Sequence, residues 1–374
     1  VTKPDDDALR PRAVTAFDVA RLAGVSQSAV SRTFTPGASV APKTRAAVLE
    51  AARALGYRPN LIARSLITRR SRIIGLAVGY LHNQFYPSVL EALSARLQAL
   101  GYQLLLFTAP QAGHADPLLE DILRYQVDGL ILASTTLSSR LAAECRAHGI
   151  PVVLFNRTTD GRSTVESVTG DNRRGGRTIA DFLVAGGHRR FAFMAGVEHS
   201  STSRDRERGF REGLAAHGVS RIARVAGHYD FDRAGAAAAA LFDAPVRPDA
   251  LFCASDHMAI AAIDAARRRG LRVPQDVSIV GFDDAVPARW AGYDLTTFLQ
   301  PVDAMVEATV GLLQARLADP ALPLRRIVVP GVLIVRGSAR LPASGVAERE
   351  GMRVWTAAPE KRRRGAPSRR VRAG

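Results

Sequence analysis

The spacing of apolar residues changes its period along the chain, and that change divides it. Within residues 13–66 the apolar positions follow helical spacing. Val19, Leu22 and Ala23 fall on one face of a first short helix, and Val30 and Phe34 on one face of a second covering 27–34. Val48, Ala51, Ala52 and Leu55 form the stripe of a third, with residues 43–55 as its body. The punctuation agrees with these bounds. Thr15 and Asp18 form a Thr-x-x-Asp capping box, Gly24 stops the first helix and Ser26 caps the second. Pro42 opens the third helix and Gly56 ends it, while Ala41 supplies no cap. From Ile73 onward short apolar runs alternate with helical stretches. IIGLAV, YQLLLF, DGLILA, PVVLF, RFAFMA, ALFCA and VSIVGF read as strands, and residues 87–100 as the first intervening helix. Apolar strands separated by helices imply a parallel sheet covered on both faces. Roughly eight such units suit two Rossmann-like lobes better than one small sheet, with a closed eight-stranded barrel as the competing architecture. Beyond Arg340 the chain turns to Pro, Gly, Ala and Arg, with EKRRRG, SRRVRAG and Trp355 as its one large apolar group. Such a composition buries no core, so residues 341–374, like residues 1–12, are expected to be disordered.

Composition sharpens the division. At 374 residues the chain has room for two or three domains. No apolar run approaches the ~20 residues that span a bilayer, and the start of the chain is acidic and polar, so a cytoplasmic protein without a membrane partner is expected. Cys145 and Cys253 stand far apart in apolar surroundings and suggest buried core positions rather than a disulfide or a zinc site. The net charge of +16 is unevenly placed. Residues 1–72 hold 13 Lys and Arg against 5 Asp and Glu, residues 336–374 hold 11 against 3, and the stretch between them has 27 of each. Clustered cations are what phosphate neutralisation needs, which makes the N-terminal part a candidate for DNA binding.

Two helices joined by a glycine turn form a helix-turn-helix, whose second helix enters the major groove. With Val30 and Phe34 turned inward, Gln27, Ser28, Ser31 and Arg32 point outward, and Gln and Arg can pair with adenine and guanine edges respectively. TAFDVARLAGVSQSAVSR followed by TRAAVLEAARALGYRPNLIARSL resembles the head of the lactose-repressor (LacI/GalR) family of bacterial transcription regulators. The resemblance implies that Gln27 and Ser28 read bases, with Arg32 as a further contact and Thr15, Ser26 and Ser31 beside them. It also implies that Asn60, Ala63, Arg64 and Leu66 belong to a hinge helix formed on the operator, in which Leu66 wedges into the minor groove.

Downstream, GDNRRGG, AGGHRRFAFMAG, RERGF, VPQDVSIVGFDD and LIVRGS are similar in order to motifs of the same family's core, itself similar to periplasmic sugar-binding proteins. That resemblance selects two lobes over the barrel: one from about 73 to 170 plus 302–329, the other from 171 to 301 plus 330–340, with ligands bound between them outside the carboxyl ends of the strands. Phe85 and Tyr86 are an aromatic pair suited to stacking on a sugar or planar ring, and both match effector-contact positions. Asn156 follows PVVLF where relatives often carry Asp, and its amide both donates and accepts. Arg206 matches the arginine that grips the effector, with Thr202 four residues earlier on the same face. Ser255 stands where many relatives have Asn, and Asp283 matches a residue that accepts ligand hydroxyls. The eight histidines show no metal spacing, and GxxxxGK[ST], HExxH and GxSxG are missing, so neither an enzyme nor a metal or other cofactor is expected.

The expected organisation is a helix-turn-helix domain (13–58), a hinge and linker (59–72), a two-lobed effector-binding and dimerisation domain (73–340) and a basic tail (341–374). The expected function is a ligand-responsive regulator, a repressor in the first instance and an activator in the second, acting on double-stranded operator DNA. A homodimer, or a tetramer built from it, would bind a palindromic site under control of a small molecule such as a sugar or sugar acid. A non-regulatory sugar-binding protein is the rival from another class.

Overall fold

In the N-terminal part of the computed structural model, α1 (Ala16–Ala23), α2 (Gln27–Thr33) and α3 (Pro42–Ala54) enclose a small core of Val19, Val30 and Val48, all fully buried, with Ala20, Ala51 and Ala52. The residues described are 14–35, 37–58, 70–79, 81–108, 118–133, 139–159 and 165–357. The chain forms two units, one up to Ser71 and one from Arg72. The Thr15 backbone N–H donates to Asp18 Oδ2 at 3.0 Å and the Asp18 N–H to Thr15 Oγ1 at 3.4 Å, which completes the capping box. Gly24 ends α1 in the left-handed region at φ 64°, and Ser26 Oγ accepts the Ala29 N–H at 3.3 Å to start α2. Leu22 departs from expectation: it is 56% exposed, and Ala20 takes its place inside. At about 100° per residue, the arc holding Val19, Ala23 and Ala20 leaves Leu22 on the far flank of the helix.

The second unit contains β1 (Ile73–Val78), α4 (Phe85–Ala99), β2 (Gln103–Thr108), α5 (Leu119–Arg124), β3 (Gly129–Ala133), α6 (Ser139–Ala147), β4 (Val152–Phe155) and β5 (Glu166–Gly170). It continues through α7 (Asn172–Ala185), β6 (Phe191–Ala195), α8 (Ser201–Ala216), β7 (Ala223–Ala226), α9 (Phe231–Asp243), β8 (Ala250–Cys253) and α10 (Asp256–Arg268). β9 (Ser278–Asp283), β10 (Thr296–Leu299), α11 (Val302–Ala318), β11 (Arg326–Val329) and β12 (Val332–Ile334) follow. Two open sheets result. The first, in the order β11-β5-β4-β3-β1-β2, is parallel throughout. The second, which includes β7-β6-β8-β9-β10, is parallel over those five strands and antiparallel where β12 joins β10. The chain crosses between lobes after β5, before α11 and after β11, and no barrel closes.

Sequence periodicity missed several strands for identifiable reasons. β5 is buried along its whole length yet reads ESVTG, because Glu166 is matched there by Arg316 at 3.3 Å. β7 is an edge strand of only four residues, ARVA, none of them fully buried. The expectation of disorder from residue 341 is corrected as far as residue 357. β13 (Val346–Arg349) and β14 (Met352–Trp355) form an antiparallel hairpin that extends the second sheet beyond β12. Its two-residue turn, Glu350 and Gly351, has φ of 49° and 73°, the left-handed pair that suits a tight hairpin. Trp355 packs edge-on against Phe182 at 5.6 Å and donates its indole N–H to the Ser344 carbonyl at 3.1 Å. Composition misleads here because one large side chain suffices when a finished sheet edge is already present to receive it. EKRRRG and SRRVRAG lie outside the described residues. Trp355→Ala is therefore expected to destabilise the second unit by about 3 kcal/mol in urea unfolding followed by circular dichroism. An unchanged midpoint would show that the hairpin does not contribute to stability.

Candidate functional site

On α2, Gln27, Ser28, Ser31 and Arg32 are all exposed, whereas Ala29, Val30 and Thr33 are buried, so the polar face is free to meet a partner. Thr15 and Ser26 are exposed N-caps. A capped helix start presents backbone N–H groups that suit a phosphate. Asn60, Ala63, Arg64 and Leu66, the hinge positions, lie outside the described residues.

Within the second unit, Phe85, Tyr86 and Asn156 of the first lobe meet Thr202, Arg206 and Asp283 of the second around one small cavity of about 10 Å³, room for a single water. Arg206 is its centre. α8 carries it against α7 at backbone contact distance, because a Cβ on Gly176 would overlap the Arg206 carbonyl and one on Gly209 the Arg173 carbonyl. The buried guanidinium donates through Nε to Asn172 Oδ1 at 2.8 Å and through Nη1 to the Ala254 carbonyl. Nη2 lies 3.3 Å from Asp283 Oδ1, and the whole group sits 3.7 Å above the Phe282 ring. Asp283 ends β9 with φ at 126°, a region L-residues rarely occupy, and Gln300 Nε2 donates to its Oδ1 at 2.7 Å. Burial pushes its carboxyl up to about 6, against the opposing pull of Arg206 and Gln300. Neighbouring Asp256, wholly buried, is pushed up to about 8 by burial and then by the nearby Asp283 charge, although Thr297 Oγ1 and the Ala285 N–H, the latter at 2.7 Å, both donate to it.

Asn156 adopts φ of 55° after β4, and its buried Oδ1 has no hydrogen-bond partner among the described residues. Ser255 is the predicted residue that the structure does not bring to the cavity. Its hydroxyl caps α10 by accepting the Met258 N–H at 3.4 Å, and a side chain this short does not extend past that cap. Sequence reasoning left out Asn83, Arg157 and Tyr229, which complete the lining. Arg157 directly follows Asn156 and was accessible to the same rule of polar residues after strands. Tyr229 follows β7, the strand that periodicity did not reveal. Direct bonds join the lobes here: Arg157 Nη1 donates to Thr202 Oγ1 at 2.8 Å and the Thr158 N–H to Ser201 Oγ at 3.0 Å. Among the described residues no cluster could hold a metal ion, and no helix is long and apolar enough to cross a membrane.

Residues 15–60 match the family model of bacterial regulatory proteins, lacI family, and residues 180–339 that of the periplasmic binding protein-like domain. The chain is 34% identical over 338 residues to the HTH-type transcriptional regulator CelR of Thermobifida fusca, covering 88% of this chain and 99% of that protein. It belongs to the LacI family. This LacI-family chain is also 31% identical to the ribose operon repressor of Escherichia coli (strain K12), over 86% of its own length and 98% of the relative's. The lac repressor dimer bound to operator and the anti-inducer ONPF shares the fold with a TM-score of 0.79 at 27% identity, covering 87% of this chain and 99% of that one. A CelR–cellobiose complex aligns with a TM-score of 0.66 at 33% identity over 88% and 100% of the two chains. The LacI-family chain is thus a ligand-responsive, DNA-binding transcriptional regulator.

The raised carboxyls of Asp256 and Asp283 carry a pH signature. Between the ordinary carboxylate range near 4 and the raised values, the folded protein keeps protons that the unfolded chain has released. Their contribution to stability is full below that window and is lost as pH rises toward about 8. Asp256→Asn, which mimics the protonated acid, is expected to flatten the fall in unfolding free energy between pH 5 and 8, read from urea melts. A slope equal to that of the parent would contradict the burial of a neutral acid.

Proposed function

We propose that this regulator is a repressor that binds a palindromic operator as a homodimer, one α2 per half-site, and that a sugar or sugar acid in the inter-lobe cleft sets its operator affinity. The observation that carries this reading is the union in one chain of an exposed Gln27–Ser28–Arg32 face and a cleft closed around Arg206. Small-molecule sites commonly occupy ~300–1,000 Å³. A cavity of about 10 Å³ must therefore widen to admit a sugar, and widening parts the bonds that join Arg157 and Thr158 to α8. Ligand binding and lobe separation are in this way one equilibrium. The hinge, residues 59–72, would pass that change to the head, with a coupling of typically ~1–3 kcal/mol. The relatives support the assignment, since one is named a ribose operon repressor and CelR was solved with cellobiose. A regulator of operator DNA works in the cytoplasm, and the reading assigns no catalytic step to the chain.

The test begins with selection of palindromic sites from randomised DNA. Gln27→Ala and Arg32→Ala are each expected to weaken binding to the selected site by about 1–3 kcal/mol in fluorescence anisotropy and to relax base preference at one position per half-site. Leu66→Ala should weaken operator binding and leave ligand binding intact. Full affinity in both α2 variants would refute this face as the reader.

A further inference from the structure

The two arginines of the cleft are not in the same electrostatic situation. Arg206 is fully engaged, with Asn172, the Ala254 carbonyl and Asp283 around it. Arg157 is only 7% exposed, yet it forms no ion pair among the described residues. Its Nη1 donates to two uncharged acceptors, the Asn156 carbonyl and Thr202 Oγ1, each at 2.8 Å. Its Nε–H and Nη2–H groups have no acceptor among the described residues, its guanidinium lies 6.0 Å from the Tyr229 ring, and its charge reaches the Asp283 carboxylate without a direct ion pair. Asp283 is already held by Arg206 and Gln300. The lining thus holds two guanidiniums against one carboxylate, an excess of one buried positive charge. A buried cation without a counter-charge is costly, and a planar guanidinium fork matches a carboxylate. Two acceptors lie in the same cavity wall: Asn156 Oδ1, orphaned among the described residues, and the Asp283 carboxylate, whose contacts with Arg206 and Gln300 both fall on Oδ1.

We infer that the cleft is built for a monoanionic, polyhydroxylated acid, whose carboxylate pairs with Arg157 and whose hydroxyls donate to Asn156 and Asp283. The inference rests on the cleft being the effector site and narrows its ligand from sugars in general to sugar acids. Phe85, Tyr86 and Tyr229 supply the apolar wall for the carbon skeleton. The single uncompensated charge favours a carboxylate over a phosphate dianion. The amide at Asn156 is consistent with this, because an aspartate there would itself neutralise Arg157.

The experiment compares matched neutral and acidic probes on the full chain by thermal shift and calorimetry: glucose with gluconate and glucuronate, galactose with galacturonate, cellobiose with cellobionate, and glucose 6-phosphate as the phosphate arm. An acidic member should bind at least about tenfold more tightly than its neutral partner. Arg157→Gln should abolish that preference, with folding checked by circular dichroism and by operator binding. Asn156→Asp, a second variant that keeps Arg157, should weaken the acid about tenfold more than it weakens the neutral sugar. Neutral sugars binding as well as acids, or glucose 6-phosphate binding in place of the carboxylates, would overturn the inference and leave the sugar-effector reading standing. Stabilisation by no member of the panel would overturn both.

Discussion

The Arg206 guanidinium, buried between two lobes and shared among Asn172, the Ala254 carbonyl, Asp283 and the Phe282 ring, is the interaction on which the rest of the second unit depends. An ion so deeply buried is costly unless it is paired and hydrogen-bonded, since removal of one partner of a buried pair leaves a charge that water no longer stabilises. Several unusual features follow from that demand. α7 and α8 approach so closely that Gly176 and Gly209 admit no Cβ, which brings Arg206 within reach of Asn172. Asp283 accepts a strained backbone at the end of β9, which points its carboxylate at the same guanidinium. The cleft is therefore rigid on the side of the second lobe.

The first lobe contributes the complementary half, and its groups are less completely satisfied. Asn156 keeps an orphaned oxygen and Arg157 an unmatched charge, while the bonds that join the lobes run through single hydrogen bonds to α8. A rigid, well-paired half facing a half with unmet polar groups is what a ligand-dependent change in lobe spacing requires. The ligand can then supply contacts that the protein alone lacks, and only such differential contacts shift a conformational equilibrium. The charge division along the chain fits the same logic. A neutral stretch over 73–335 adds no general attraction for DNA, so phosphate contact is left to the basic N-terminal part.

Much of this was legible in the sequence, and the exceptions have physical causes. Helix starts and stops in the N-terminal part follow from local chemistry, because a capping box and a left-handed glycine act within a few residues. Seven of the parallel strands announced themselves as apolar runs, and six of them, all but the edge strand β2, are buried along nearly their whole length. β5 did not, since its burial is made tolerable by Arg316 from α11, about 150 residues away in the chain. The β13–β14 hairpin did not, since its stability comes from β12 and Phe182.

For the site, the sequence alone determined the residue types and, through family resemblance, most of their positions: Phe85, Tyr86, Asn156, Thr202, Arg206 and Asp283 do converge. Only the tertiary structure decided which of them remain available. Ser255 faces its own helix, Arg206 is consumed by protein partners, and Arg157, unremarked in the linear chain, is left with its charge uncompensated. The reason is that hydrogen-bond satisfaction and charge balance are properties of a neighbourhood assembled from distant segments. A residue's type states what it can bind, and only its folded surroundings determine what it still lacks.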